Sequence, residues 1–176
     1  MAAGQDRRGA RLTYLAVAAL LAAAAPVVAA GSWCLGFGVL GPVRTGLTAE
    51  QVLRLADFAG MERRKPAEDC WYLHYRAGGS DFDLMIIRDR VVRIELKGAS
   101  TLHTLSGARL GSTEAELRGL YRGIETQPHK YDPEGHTLTF RSPDGAYGLR
   151  FETSRGRVTA IQSGPWEHLH YVEGCS

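Results

Sequence analysis

The chain has 176 residues, 44% of them hydrophobic, with 21 Lys and Arg against 19 Asp and Glu and a formal net charge of +2. So small a charge gives no global field to hold nucleic acid or an anionic membrane surface, which argues against both as partners. The length is ample for one buried core.

Arg7, Arg8 and Arg11 precede an uncharged run from Leu12 to Ala30, and Val28 and Ala30 fit the small-residue positions of a signal-peptidase site. This predicts a cleaved secretory leader over residues 1–30 and export to the periplasm or the medium. The competing reading is a retained anchor, since the run approaches a bilayer-spanning length. Its alanine richness and Pro26 favour cleavage, and Trp33 before Cys34 does not suit a lipid-anchor site. The leader holds three arginines and one aspartate, which leaves 18 basic and 18 acidic residues in a near-neutral remainder, expected to be a monomer with no membrane span.

Residues 31–40 read as a flexible tail. Gly36, Gly38 and Gly41 in LGFGVLGPVRTG match neither dinucleotide nor phosphate-loop spacing. From residue 41 the chain reads as one module written twice, over 41–104 and 105–176. In GLTAEQV, Thr48 is followed three residues later by Gln51; in GSTEAEL, Thr113 is followed by Glu116. Both are capping boxes at helix starts. Val52, Leu55, Ala56 and Ala59 give the first helix an apolar face, and Leu117, Leu120, Tyr121 and Ile124 the second.

The period then changes to two. CWYLHYR, FDLMII and RVVRIEL follow the first helix, with turns at GGS and near Asp89-Arg90. Phe82, Leu84 and Ile86 alternate, as do Val92, Ile94 and Leu96. After the second helix, turns at PEG, PDG and SRG separate strands carrying Leu138 and Phe140, Leu149 and Phe151, and Val158 and Ile161. GRVTAIQS echoes DRVVRIEL, and HLHYVEG is expected to add a terminal edge strand. The expected fold is α+β: tandem helix-plus-antiparallel-strand repeats, with helices packed on one face of a sheet. The other face is expected to be open, carrying residues such as Tyr72, His74, Arg76, Arg88, Arg93, Arg150 and Glu152.

Export permits a disulfide. Cys70–Cys175 is the favoured pair, with Cys34 free, although three cysteines do not fix the pairing by themselves.

Candidate chemistry is sparse. His168 and His170 sit two apart, on one face of an expected strand, and could bind a metal if a third ligand came from elsewhere. His129 and His136 bracket KYDPEG, and a hairpin there would bring their rings together as a possible acid–base pair. No placed nucleophile or carboxylate pair accompanies them, and no cofactor is expected. Aromatic and arginine side chains are ordinary anchors for protein partners. Tyr72, His74, Arg76, Tyr147, Arg150 and Trp166 are therefore the expected binding residues. The favoured function is an exported, non-enzymatic protein-binding or inhibitor-like module, and the alternative is a small metal- or histidine-dependent hydrolase of the cell envelope.

The stretches VRTGLTAEQVLRLA and ARLGSTEAELRGLY, with the strands after them, resemble the beta-lactamase inhibitory protein family. They also resemble the small lipoproteins that assist outer-membrane barrel assembly, which carry one such unit. TLSGARLGSTEAELRGLY, PHKY and a terminal YVEGC are similar to a group of uncharacterised bacterial exported proteins. The resemblance implies a sheet that grips a protein. The chain departs from it in lacking a lipidated cysteine and one short disulfide per repeat, and no inhibitory hot-spot residue matches by position.

Overall fold

A computed structural model describes residues 1, 33–55, 58, 60–64 and 67–175. The expected leader after Met1, and Ala56 and Ala59, lie outside the described residues. The fold is α+β, with two α-helices and two sheets among the described residues. Among the described residues no helix is long and apolar enough to cross a membrane.

The smaller sheet joins β1 (Cys34–Leu35), β2 (Val39–Leu40), β3 (Val43–Arg44) and β8 (His103–Thr104) in the order β3-β2-β1-β8. Its presence corrects the expectation of a flexible tail through residue 40. Trp33 packs on the rings of Phe58 and Tyr75, and Leu35 and Leu40 are fully buried, worth about 2 kcal/mol apiece. The Ser163 hydroxyl donates to the Gly36 carbonyl at 2.6 Å and accepts from the Gly38 N–H at 2.7 Å, tying this segment to the far end of the chain.

The larger sheet holds β4 (Glu62–Arg64), β5 (Cys70–Ala77), β6 (Ser80–Ile87), β7 (Arg90–Leu96), β9 (Glu125–Pro128), β10 (His136–Arg141), β11 (Tyr147–Ser154) and β12 (Arg157–Pro165). Its order is β4-β5-β6-β7-β12-β11-β10-β9, so each half of the chain meanders inward from an edge and the two halves meet along β7 and β12. The central pairs there are Ile161 with Leu96, Gln162 with Glu95 and Ser163 with Ile94.

Helices α1 (Ala49–Leu53) and α2 (Glu114–Leu120) both carry complete capping boxes. The N–H of Gln51 donates to the Thr48 hydroxyl at 3.1 Å and that of Glu116 to the Thr113 hydroxyl at 3.2 Å. Neither helix has the length to persist alone. Each is held against the sheet, α1 by Ala49 and Val52 and α2 by Leu117 and the adjoining Tyr121. Leu120 turns outward instead of joining that face. The main core lies between the helices and the near face of the larger sheet, and it includes Leu73, Phe82, Leu84, Ile94, Leu138 and Phe151.

The turns follow local chemistry. Gly78 and Gly79, both at positive φ, join β5 to β6; Arg88 and Asp89 take positive φ between β6 and β7, one residue before the expected turn. A register shift at Met85/Ile86 leaves Val92 as the extra residue of β7. The bulge sends Val91 into the main core and Val92 to the opposite face, which corrects the expected Val92–Ile94–Leu96 alternation. A second shift at Glu152/Thr153 makes Thr159 the extra residue of β12.

No strand follows β12. Trp166–His170 form a short 3-10 helix, so His168 and His170 are not on the face of a strand, and the expected terminal edge strand is absent among the described residues. Pro165 holds φ at −52° where the strand gives way to this turn.

Candidate functional site: a polar row and an apolar groove

On the far side of the larger sheet, away from the helices, one residue from each strand falls into a single registered row. It runs Glu62–His74–Asp83–Glu95–Gln162–Arg150–Thr139–Glu125. Side chains alternate along a strand, so a polar residue at every second position stacks with its cross-strand neighbours.

The middle of this row is buried, contrary to the expectation of an open face. Residues after β12 cross it as a strap. The Arg93 guanidinium, 2% exposed, donates to the carbonyls of His168 at 3.3 Å and Tyr171 at 2.8 Å. Arg150, 4% exposed, donates to the carbonyl of Leu169 at 3.0 Å. Trp166 and Leu169 lie over Gly148, where a Cβ would come within 2.7 Å of both. At its end the strap is joined to β5 by the Cys70–Cys175 disulfide, with Cα atoms 5.2 Å apart. Met85 and Val92 pack beneath Cys175. Whether a sheet face is open depends on what else in the chain docks on it, and periodicity carries no signal for that.

The charges in the row are paired locally. Arg93 contacts Glu95 at 2.7 Å, Arg150 contacts Glu152 at 3.1 Å, and Lys97 pairs with Asp83. Burial draws the Arg150 guanidinium below its ordinary pKa, against the opposing pull of Glu152. His74 bonds Asp83 through Nδ1. Burial, and then Arg64 and Arg76, hold its pKa below the ordinary value. That direction favours the neutral ring, in which Nδ1–H donates to the carboxylate and Nε2 is left as an acceptor. Among the described residues that Nε2 is buried with no partner, as are Arg150 Nε, Gln162 Oε1 and His168 Nδ1.

The other expected binding residues scatter. Arg76 stands exposed at the end of β5, near Asp81. Tyr72 is half-buried and accepts the N–H of Cys175 at 3.2 Å. Tyr147 lies against Gly38, and Trp166 is covered by the Arg141 guanidinium, 4.9 Å from the ring.

The histidine pairs do not converge. His129 Nδ1 accepts the N–H groups of Tyr131 at 3.2 Å and Asp132 at 3.1 Å, which places its proton on Nε2, 3.6 Å from Glu152. His136 instead bonds Glu114 of α2 at 2.8 Å. His168 lies beside Glu167 and Tyr171, and His170 stands edge-on to Trp166. Among the described residues no group of three or more His, Cys, Asp or Glu side chains could hold a metal ion.

Sequence reasoning missed a groove between the smaller sheet and α2. It is a cavity of about 160 Å³ whose lining includes Leu35, Phe37, Leu105, Leu120, Tyr121 and Phe140. Leu105 is 76% exposed and Leu120 is 43% exposed. At the floor, the Tyr121 hydroxyl bonds Thr104 Oγ1 at 2.6 Å, and burial raises its pKa against that bond. The only sequence signal was Leu105 in HTLSG, an apolar residue between polar ones.

No protein-family model and no curated protein sequence matches the chain. Among solved structures, a cysteine-rich secretory protein from Staphylococcus aureus aligns at 14% identity and a TM-score of 0.42. The alignment covers 66% of this chain and 42% of that one, so the likeness reaches less than half of the other protein's length and carries no argument about fold or function.

Proposed function

We propose that the chain is an exported, non-enzymatic protein-binding module of the inhibitor type, and that its two halves are copies of one helix-and-strand unit. The duplication is supported by matched contacts. Gly46 N–H donates to Val91 and Gly111 N–H to Val158, both at 2.8 Å. Thr48 bridges to Arg90 and Thr113 to Arg157. The bulged residues Val92 and Thr159 each lie two positions beyond those arginines. Two copies let one short unit build a single eight-stranded sheet, with Glu95 and Gln162 at its centre.

The observation that carries the binding reading is Leu105 standing 76% exposed at the lip of the apolar groove. A leucine held in water beside an apolar groove gains by burial against a partner, about 25 cal/mol for each Å² covered. A protein partner would seat an apolar side chain between Leu105, Leu120 and Phe140.

Affinity capture tests this. The immobilised chain and its Leu105→Asp variant are exposed to native exported and envelope proteins, and retained species are read by mass spectrometry. A single protein held by the wild type and lost with Leu105→Asp is the expected result. Equal retention by both removes the groove from the interface. The histidine-dependent alternative has no comparable geometry, because His129, His136, His168 and His170 contact separate partners.

A further inference from the structure

The strap covers a face that is polar at its middle, with an apolar contact of Met85 and Val92 only at the Cys175 end. Beneath it are two guanidiniums, a carboxylate and a carboxamide, from Arg93, Arg150, Glu95 and Gln162, all less than 10% exposed. The unpartnered atoms Arg150 Nε, Gln162 Oε1 and His168 Nδ1 lie at or beside this contact. Each is a buried polar group that water would satisfy. The helix-covered face, built of Leu73, Phe82, Ile94 and Phe151, has no such alternative.

The strap is gripped chiefly through its backbone. Three carbonyls, of His168, Leu169 and Tyr171, accept from Arg93 and Arg150, and within the strap only Leu169 and Cys175 are buried. Backbone carbonyls belong to every peptide, so these guanidiniums can hold any extended segment in the same way. What singles out this segment is that it is tied at both ends, by the peptide chain at Pro165 and by the disulfide at Cys70, so that reduction leaves it held at one end only.

We propose that residues 166–175 are an internal ligand latched by the Cys70–Cys175 disulfide. Reduction frees them, and the vacated face takes an extended peptide segment that offers carbonyls to Arg93 and Arg150 and a bulky apolar side chain to Gly148. The reductant is a dithiol. One of its thiolates attacks a sulfur of the Cys70–Cys175 bond, breaking it and forming a mixed disulfide. The second thiol then displaces the remaining protein sulfur, leaving two protein thiols and one oxidised dithiol, with the two protons passing to the cysteines. This surface is separate from the groove at Leu105, so the inference goes beyond the binding reading above.

The test uses the full chain in three forms: oxidised, reduced with dithiothreitol, and as the Cys70→Ser/Cys175→Ser variant. Amide hydrogen exchange read by mass spectrometry follows each, and fluorescence anisotropy follows a labelled peptide of sequence WEHLHYVE. The expected result is that segments covering 166–175 lose protection in the reduced and double-serine forms, while those covering 70–96 and 136–165 keep theirs. The peptide then binds both opened forms at least tenfold tighter than the oxidised chain, and Leu105→Asp leaves that binding unchanged. A strap equally protected after reduction, or a sheet that exchanges along with it, overturns the latch. A freed strap with no gain in peptide binding overturns the vacated face as a peptide site. Loss of the peptide with Leu105→Asp would place it in the groove instead.

Discussion

Arg90 and Arg157 make the same contact in the two halves of the chain: each guanidinium donates to the carbonyl of the glycine before a capped helix, Gly46 at 2.8 Å and Gly111 at 3.0 Å. Each ties the end of a strand turn to a helix start, so each positions α1 or α2 over the sheet. A side-chain bond to a backbone carbonyl contributes about 1 kcal/mol. Both arginines are exposed, which places them at the lower end of that range.

Under the proposed duplication, Arg90→Ala and Arg157→Ala cost nearly the same, about 0.5–1 kcal/mol each. The two sites share no partner, so the double variant shows the sum to within about 0.5 kcal/mol. Urea denaturation of the three variants checks this. Costs differing by more than about 1 kcal/mol would mean that the two contacts are not functional equivalents.

Glu114 gives a pH signature. Burial raises its carboxyl, but hydrogen bonds from His136, Thr153 and Arg118 outweigh that and bring its pKa below the ordinary carboxylate value. A lowered folded-state pKa means stability that is present above the unfolded pKa, about 4.3, and lost as pH falls through the folded value. Glu114→Gln is therefore about 1 kcal/mol less stable than wild type at pH 7, and the gap narrows below about pH 4.3. Denaturant midpoints at pH 7 and at pH 3 measure it; a gap that stayed constant with pH would exclude the carboxylate as its source.

Gly148 and Gly164 are paired across β11 and β12, yet their replacements should differ in kind. A Cβ on Gly164 meets the backbone carbonyl of Val92 across the β7–β12 seam, which can move only if the two halves of the sheet part. A Cβ on Gly148 meets the side chains of Trp166 and Leu169, which belong to the strap. Gly164→Ala is expected to cost about 2–3 kcal/mol in global stability. Gly148→Ala is expected to cost about 1 kcal/mol or less, mainly as lost exchange protection over 166–175. Equal global losses would show that the strap and the sheet unfold together.

These contrasts separate what was legible in the sequence from what was not. The capping boxes at Thr48 and Thr113 were readable because donor and acceptor lie three residues apart. The strands were readable because Phe82, Leu84 and Ile86 alternate. The smaller sheet escaped notice because its strands are two residues long, too short for a period, and because β1 pairs with β8 from far along the chain. Val92 was misplaced because a bulge reverses the alternation at one residue. The strap was invisible for a different reason. Its hold on the sheet comes from carbonyl groups, which no side-chain pattern reports, so a row of charges expected to face water is buried by the chain's own end.

Arg93 serves two masters, and substitution can tell them apart. Its guanidinium holds Glu95 at 2.7 Å and the strap carbonyl of Tyr171 at 2.8 Å. Arg93→Ala leaves Glu95 buried without its main partner, since Lys97 stands 3.9 Å away, and should cost about 3–5 kcal/mol. Replacing both members removes the stranded charge, so Arg93→Met with Glu95→Met should return to within about 1 kcal/mol of wild type. The strap carbonyls of His168 and Tyr171 still lose their donor in that double variant. Global stability should therefore recover while protection over 166–175 stays low. Recovery of neither quantity would mean that Arg93 acts through the strap alone; recovery of both would mean that the strap does not need Arg93.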